Sequence, residues 1–384
     1  MSAPAPSPTA LVRGAGPTGS LAALALAQAG WRVSLHDPLS ASALQQRRRA
    51  YAITHSSREL MQQLGVWAQL NAHCHHFDQL QLLDQGSGAS TAFEAAEAVG
   101  WILDHRPLQA LLLQACAAHP HISLDLEQAE PSAAAPDLTV VAEGGGSSSR
   151  RQLGIGFWGF RYRQGCLTVQ VQLDADCRPH TAWEIFRPEG PLAVLPLREG
   201  EAQVVWSAPK ERCAQRIELG EADFIAALNQ ALPEGVGIQA LLDQPAWFPV
   251  EWRLAPTLGR GTKLLCGESG HRCHPVGGQG LNLCWRDVAS LAVLARRYQH
   301  TPRRLVRHYS RRRWLDLLAV LVATDLLVRT FSNRSPVLRP LRRFCIGLLD
   351  RSSALRRWSL NLATYGPRGA VLTTAWQYAE NQSS

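Results

Sequence analysis

A glycine-rich turn between two strands constrains this chain more than any other feature. Thr9-Ala10-Leu11-Val12-Arg13 reads as a strand, and Gly14-Ala15-Gly16-Pro17-Thr18-Gly19 follows it directly. An apolar helix, Leu21 to Ala29, ends at Gly30, and Trp31-Arg32-Val33-Ser34-Leu35 is a second strand. Asp37 closes that strand about 20 residues past the glycines, the spacing of a dinucleotide-binding βαβ unit. The first glycine permits the tight turn, the second lets a pyrophosphate reach the helix N-terminus, and the third permits close helix–strand packing. Arg13 places a charge where an aliphatic residue is expected, and the sequence offers no reason for it.

A second glycine-rich stretch lies far downstream. Lys263-Leu264-Leu265-Cys266 reads as a short buried strand leading into Gly267-Glu268-Ser269-Gly270, and a helical pattern with Leu283, Val288, Leu291, Ala292 and Leu294 on one face comes after it. Between strand and helix lie Glu268, Pro275, Gly277, Gly278, Gln279, Gly280, Leu281 and Asn282. Glycines allow backbone N–H groups to approach a ligand, and they open a helix whose positive end faces it. The acid accepts hydrogen bonds from sugar or ribityl hydroxyls. The stretch therefore suits a ligand carrying a polyol and an electron-rich ring.

Composition narrows the context. The 384 residues suffice for two interleaved domains and an appendage. Nine cysteines without paired spacing point to a reducing compartment. The leader Met1-Ser2-Ala3-Pro4 has no basic or apolar block and is not read as a signal peptide. No run approaches the ~20 apolar residues that span a bilayer. The net charge of +8 is concentrated late: Arg296 to Arg368 holds 17 Arg against 3 Asp. That suggests an anionic partner surface, and no nucleic-acid recognition motif accompanies it.

The intervening chain divides by pattern. Ser57 to Leu70 is amphipathic. His73-Cys74-His75-His76 is too tightly spaced for four ligands on one ion, so no metal site is expected. Helix Leu108 to Ala118 and strands Ile122 to Leu126 and Leu138 to Ala142 continue the first unit. Phe77 to Asp84, Leu167 to Leu173, Trp183 to Phe186, Ala193 to Leu197, Gln203 to Ser207 and Trp247 to Leu254 read as an inserted antiparallel sheet. From Ser290 the chain is helical, broken at Asn333-Arg334-Ser335-Pro336. The expected fold class is α/β: a discontinuous Rossmann-like domain (1–75, 101–152, 255–300), an interleaved sheet domain (76–100, 153–254) and a helical C-terminal region (301–384).

Taken together, these stretches resemble the flavin-dependent aromatic hydroxylases, in particular their ubiquinone-biosynthesis branch. Gly14–Gly19, Arg49-Ala50-Tyr51-Ala52-Ile53, Gly190-Pro191-Leu192-Ala193-Val194-Leu195-Pro196-Leu197 and Gly267 to Asp287 carry the resemblance, as does the tail stretch Phe331-Ser332-Asn333. Glu143-Gly144 and Glu268 depart from it, each glutamate standing where the family has aspartate. The resemblance implies FAD as cofactor, NAD(P)H as co-substrate and O2 as oxidant. It implies that Gly14, Gly16, Thr18 and Gly19 cradle the pyrophosphate and that Asp37 accepts from the adenosine ribose. It places Arg49 and Arg106 along the cofactor, and Glu143 and Gly144 in the motif linked to flavin and nicotinamide. Glu268 is placed at the ribityl or pyrophosphate region, Pro275 beside flavin and substrate, and Gly277 to Asn282 at the anionic edge of the ring.

No side-chain nucleophile is required by such chemistry, so no catalytic residue is nominated, and neither His271 nor His274 is taken as a base. Trp183, Phe186 and Leu195 are candidate pocket lining. The expected activity is ring hydroxylation of a prenylated quinone precursor, of ubiquinone or plastoquinone type. Two alternatives stand beside it: a flavin hydroxylase or reductase of another aromatic or isoprenoid substrate, and a non-catalytic flavin-binding scaffold holding quinone-pathway enzymes together. The expected location is cytoplasmic, with arginines and Trp314, Phe331, Phe344 and Trp358 of the tail docking the protein at the inner face of the membrane.

Overall fold

Strands buried on both faces read as continuous apolar runs, and Ala10, Leu11 and Val12 are all buried. Their strand, Thr9–Arg13, sits inside a six-stranded sheet of the computed structural model, which describes residues 7–47, 49–131, 135–198 and 200–367. It pairs in parallel with Arg32–Asp37 on one side and Leu138–Val141 on the other. Ile122–Leu126 and Lys263–Leu265 extend the parallel array, and Gly259–Arg260 closes one edge antiparallel. The helix Pro17–Gln28 begins on a proline, which suits a first turn where N–H groups are unpaired anyway, and is buried almost all round. It packs between helices His105–Ala118 and Gln279–Arg297. Trp31, fully buried, locks the layers by donating its indole N–H to the Ala295 carbonyl at 3.2 Å.

A nine-stranded sheet forms the second body. Its path runs His271–Arg272, Ala246–Leu254, Trp158–Leu173, Glu201–Pro209, Leu192–Arg198, Thr181–Phe186, Gln79–Asp84 and Ala89–Glu94, with Ile238–Leu241 paired beside Trp158–Leu173. The pairing is antiparallel except between Thr181–Phe186 and Gln79–Asp84. The expected strand at Leu167 starts earlier, at Trp158, because its first half pairs with Trp252 and its neighbours. A small sheet of Ala50–Ile53, Gly100–Asp104 and Cys74–Phe77 joins the bodies. The amphipathic stretch from Ser57 is two helices, His55–Gln63 and Trp67–Asn71, divided where Gly65 turns left-handed at φ 75°.

The tail is a brace across both sheets. Helix Pro302–Phe331 receives the Trp252 indole N–H on its Leu321 carbonyl at 3.1 Å. From the same helix, the Trp314 indole donates to Ala255 and the Tyr309 hydroxyl donates to Leu265. Helices Leu338–Arg351 and Ser353–Tyr365 follow the break at Asn333. No helix among the described residues is long and apolar enough to cross a membrane.

The structure corrects the expected make-up of the tail's exposed face. Phe331 is buried and stacks on Phe186 with ring centroids 4.3 Å apart. Arg342 is buried and donates to the Thr330 carbonyl and to Asn333. Phe344 and Trp358 are exposed, as are Leu326, Leu341 and Leu348.

Candidate active site

The first glycine turn is shaped by contact. Gly14 sits at φ 103°, and a Cβ there would lie 2.4 Å from the Ala142 carbonyl oxygen. A Cβ on Gly19 would lie 1.7 Å from the Gly14 oxygen, so the turn and the helix pack backbone to backbone. A Cβ on Gly16 would meet nothing within 4 Å. Gly16 caps helix Pro17–Gln28 without any side-chain cap. Its N-terminal N–H groups therefore face open space with the helix dipole behind them, a cradle for an anion. Asp37 holds the turn: its carboxylate accepts from Ala15 N–H at 2.8 Å and Leu39 N–H at 2.9 Å.

Arg13 gains its explanation here. Its guanidinium lies 3.0 Å from Glu143 and 3.4 Å from Glu130. Glu143 also accepts from the Ser147 hydroxyl at 2.6 Å, and from Ser149 through both hydroxyl and backbone N–H. Burial works to raise this carboxyl. The serine hydrogen bonds and the Arg13 charge outweigh it and hold the group below the ordinary carboxylate range. The unexpected charge in the strand is thus half of an ion pair that fixes the Glu143-Gly144 loop.

The second glycine stretch hangs on Asp287, a residue that motif reading left without a role. Its carboxylate accepts from Gly267 N–H at 2.8 Å, His271 Nε2 at 2.9 Å and Arg313 Nε at 2.7 Å. Burial opposes its charge, but His271 and Arg313 outweigh that and hold it at about 2. The loop then runs through Glu268, half exposed and paired with Arg272 at 3.1 Å, which also reaches Glu251. Gly277 and Gly278 are both left-handed, at φ 67° and 61°, and lead into helix Gln279–Arg297. Asn282 is buried beneath them. It donates to the Ala52 and Gly278 carbonyls and accepts from Thr54 and Ser57, tying this helix to the arginine-led segment.

Both stretches open on one cavity of about 810 Å³, within the range of small-molecule and cofactor pockets. Gly14, Gly16, Thr18 and Asp37 form one end. Arg49, Glu143, Gly144 and Glu268 lie along it. Pro275, Gly278, Gly280 and Leu281 border it, opposite a wall of the nine-stranded sheet made by Thr168, Leu195, Gln203 and Val205. Arg49 also stacks its guanidinium 4.7 Å from the Phe248 ring centre. The remaining expected site residues stand off the wall. Gly19, Gly277, Gln279 and Asn282 shape the backbone behind it, and Arg106 is exposed on the first turn of helix His105–Ala118. Of the three candidate lining residues, Leu195 lines the cavity and Trp183 and Phe186 do not.

His271 and His274 are both buried. Burial pushes His274 down to about 3, so it is neutral. It contacts Gln164 at 3.2 Å and accepts the Val276 N–H, which orients the Pro275 turn. No metal-ligand cluster is found among the described residues. His75, His76 and His180 instead stack ring on ring.

The arrangement suits FAD. The open cradle at Gly16, the uncapped helix end, the two carboxylates and the left-handed glycine turn provide separate places for phosphate, hydroxyl and ring. The profile of the FAD binding domain family matches residues 8–134 and 93–321. Among characterised sequences, the chain is similar to 3-demethoxyubiquinol 3-hydroxylase of Escherichia coli, 31% identical over 381 residues, covering 91% of this chain and 96% of that one. An uncharacterised protein of Synechocystis is 29% identical over 382 residues, covering 92% of each. Among solved structures, HpxO of Klebsiella pneumoniae complexed with FAD and uric acid is similar, with a TM-score of 0.73 at 18% identity, over 94% of this chain and 98% of that one. So is the p-nitrophenol 4-monooxygenase of Pseudomonas putida, with a TM-score of 0.72 at 17% identity, over 92% and 97%. At such identities these two speak for the fold.

Proposed function

The chain belongs to the FAD binding domain family, and we propose that it is an FAD-dependent monooxygenase that hydroxylates the aromatic ring of a prenylated quinone precursor of ubiquinone type, using NAD(P)H and O2. The observation that carries this reading is the single cavity shared by the two glycine stretches and a wall of the nine-stranded sheet where Leu195 and Val205 stand beside Thr168 and Gln203. The extent of similarity to the E. coli 3-demethoxyubiquinol 3-hydroxylase supports the substrate class.

Bound FAD would supply the redox chemistry with O2. The chain's own residues bind, orient and keep water out. Gly14, Gly16 and the N-terminal N–H groups of helix Pro17–Gln28 would hold the pyrophosphate, aided by Arg49. Asp37 would accept from the adenosine ribose and Glu268 from the ribityl hydroxyls. The N–H groups at Gly278 to Leu281, at a helix N-terminus, would favour negative charge on the ring edge. Pro275, Leu195, Val205 and Phe248 would sandwich the substrate ring and exclude water. Arg106, exposed and away from the cavity lining, has no part in this reading.

A prenylated substrate resides in a bilayer, so the cavity must be brought to one. Phe344, Trp358, Leu341 and Leu348 project from the tail helices among Arg339, Arg343 and Arg357. That mixture suits peripheral docking on an anionic leaflet.

The test is turnover of a short-chain prenylated phenol by the FAD-loaded protein with NAD(P)H under isotopic O2. Product heavier by one labelled oxygen supports the reading. NAD(P)H oxidation with a reduced, unlabelled product points to the reductase alternative, and no substrate-stimulated oxidation points to the scaffold.

A further inference from the structure

Beside the sheet wall of the cavity lies a buried acid that the cofactor reading does not use. Glu184 lies in strand Thr181–Phe186, opposite Ala193 of the neighbouring strand. Paired residues share a face, and alternation puts Leu195 on that face too. Leu195 is opposite Gln203, and Ala193 is opposite Val205, which is itself opposite Thr168. Leu195, Gln203, Val205 and Thr168 all line the cavity. Glu184 therefore stands on the same sheet face, one strand beyond Leu195 and just past the residues that line the cavity. Its carboxylate meets the Gly277 N–H at 3.4 Å, between the lining residues Pro275 and Gly278.

This carboxyl has no cation. It is 8% exposed, and no ion pair to it is formed among the described residues. Charged groups on the surrounding elements are engaged elsewhere. Asp325 accepts from Tyr162 and Arg329, Asp84 accepts from the Gly86 and Ser87 N–H groups, and Arg342 donates to Thr330 and Asn333. The Cys166 thiol on the same face is pushed by burial to about 12 and stays neutral. Burial raises Glu184 to about 7, only partly offset by the Gly277 N–H. A carboxyl so placed changes protonation at working pH, as an acid–base group must. Gln203 gives a second, independent sign of a polar ligand on this wall: it is 2% exposed, lines the cavity, and its Oε1 has no hydrogen-bond partner.

We propose that Glu184 is a catalytic residue that takes the proton of the substrate's ring hydroxyl, with Gln203 accepting a second polar contact from the same ring. The inference rests on the reading of the substrate as a phenol. In the step, the phenol O–H bond breaks, its electron pair stays on oxygen, and an O–H bond forms on the Glu184 carboxylate. The phenolate so formed is a more electron-rich ring, which is what oxygen transfer to carbon requires. The proton returns to solvent or to the product hydroxyl.

The test compares wild type, Glu184→Gln and Glu184→Asp, each loaded with FAD and checked for equal bound flavin. The first readout is the visible band of bound 4-nitrophenol against pH. Two groups sharing protons titrate in two steps, so the wild type gives two steps and Glu184→Gln gives one. The second readout is turnover. Glu184→Gln lowers kcat on an unsubstituted prenylphenol by about 10²-fold or more, the usual range for a general base, and Glu184→Asp recovers part of it. A fluorinated phenol, already ionised at the assay pH, shows a loss under about 5-fold. Single-step titration in the wild type, or equal losses on both phenols, overturns the inference while leaving the functional reading intact. A wild type that turns over neither phenol overturns both.

Discussion

Asp287→Asn tests whether the second glycine stretch is held in place from below. The carboxylate is fully buried and bonded to Gly267 N–H, His271 and Arg313. Its folded-state value of about 2 against an ordinary 3.8, at about 1.4 kcal/mol for each pH unit, stabilises the fold by roughly 2–3 kcal/mol at neutral pH. Because the folded value is the lower one, this stability is complete above 3.8 and is lost as pH falls toward 2. Asparagine keeps an acceptor for Gly267 but removes the charge, leaving Arg313 buried with Asp316 alone. Breaking a buried pair costs about 3–5 kcal/mol, so a loss of about 3 kcal/mol is expected at pH 7. Urea unfolding followed by tryptophan fluorescence measures it, with and without added FAD, because bound ligand contributes its own stabilisation. The gap between variant and wild type narrows as pH is lowered through the window from 3.8 toward 2. A variant within about 0.5 kcal/mol of wild type at pH 7, or a gap indifferent to acid, refutes this account of Asp287.

Gly16→Val and Gly19→Val separate cofactor space from packing. A side chain at 16 enters open cavity and one at 19 strikes the Gly14 carbonyl, so the first folds with near-wild-type circular dichroism but without yellow colour, and the second loses stability outright. Glu268→Ala weakens FAD binding by roughly 1–3 kcal/mol and more than Glu268→Asp does; equal flavin affinity by fluorescence titration removes Glu268 from the site. Sedimentation with vesicles rich in phosphatidylglycerol falls on replacing the exposed Arg339 and Arg343 with Gln, by about 1 kcal/mol for each charge, and falls again with salt. Arg342→Gln is a different experiment, because that side chain caps the helix break at Asn333 and its loss destabilises the tail. Vesicle binding unaffected by lipid charge makes the tail a protein-contact surface instead.

How much of this was legible depends on the reach of each interaction along the chain. The two glycine stretches are local: turn, helix start and strand lie within a few residues, so sequence places them and the strands Thr9–Arg13 and Lys263–Leu265 emerge as expected. Arg13 is opaque for the opposite reason. Its partner Glu143 is far along the chain, and only the parallel pairing of Thr9–Arg13 with Leu138–Val141 brings the two together. The same holds for Asp287, whose partners Gly267 and Arg313 sit on a loop and on a separate tail helix. Arg106 shows a third limit. It stands exposed on the first turn of helix His105–Ala118 and outside the cavity lining, and local sequence does not show on which side of that turn it falls. Glu184 carried a signal in composition. It is the one acid in the otherwise apolar and aromatic run Ala182-Trp183-Glu184-Ile185-Phe186, a strand buried on both sides. An acid at a core-facing strand position with no local counter-charge is costly to bury. Such a residue marks a cost in stability, and the composition of the strand exposes it before any coordinate does.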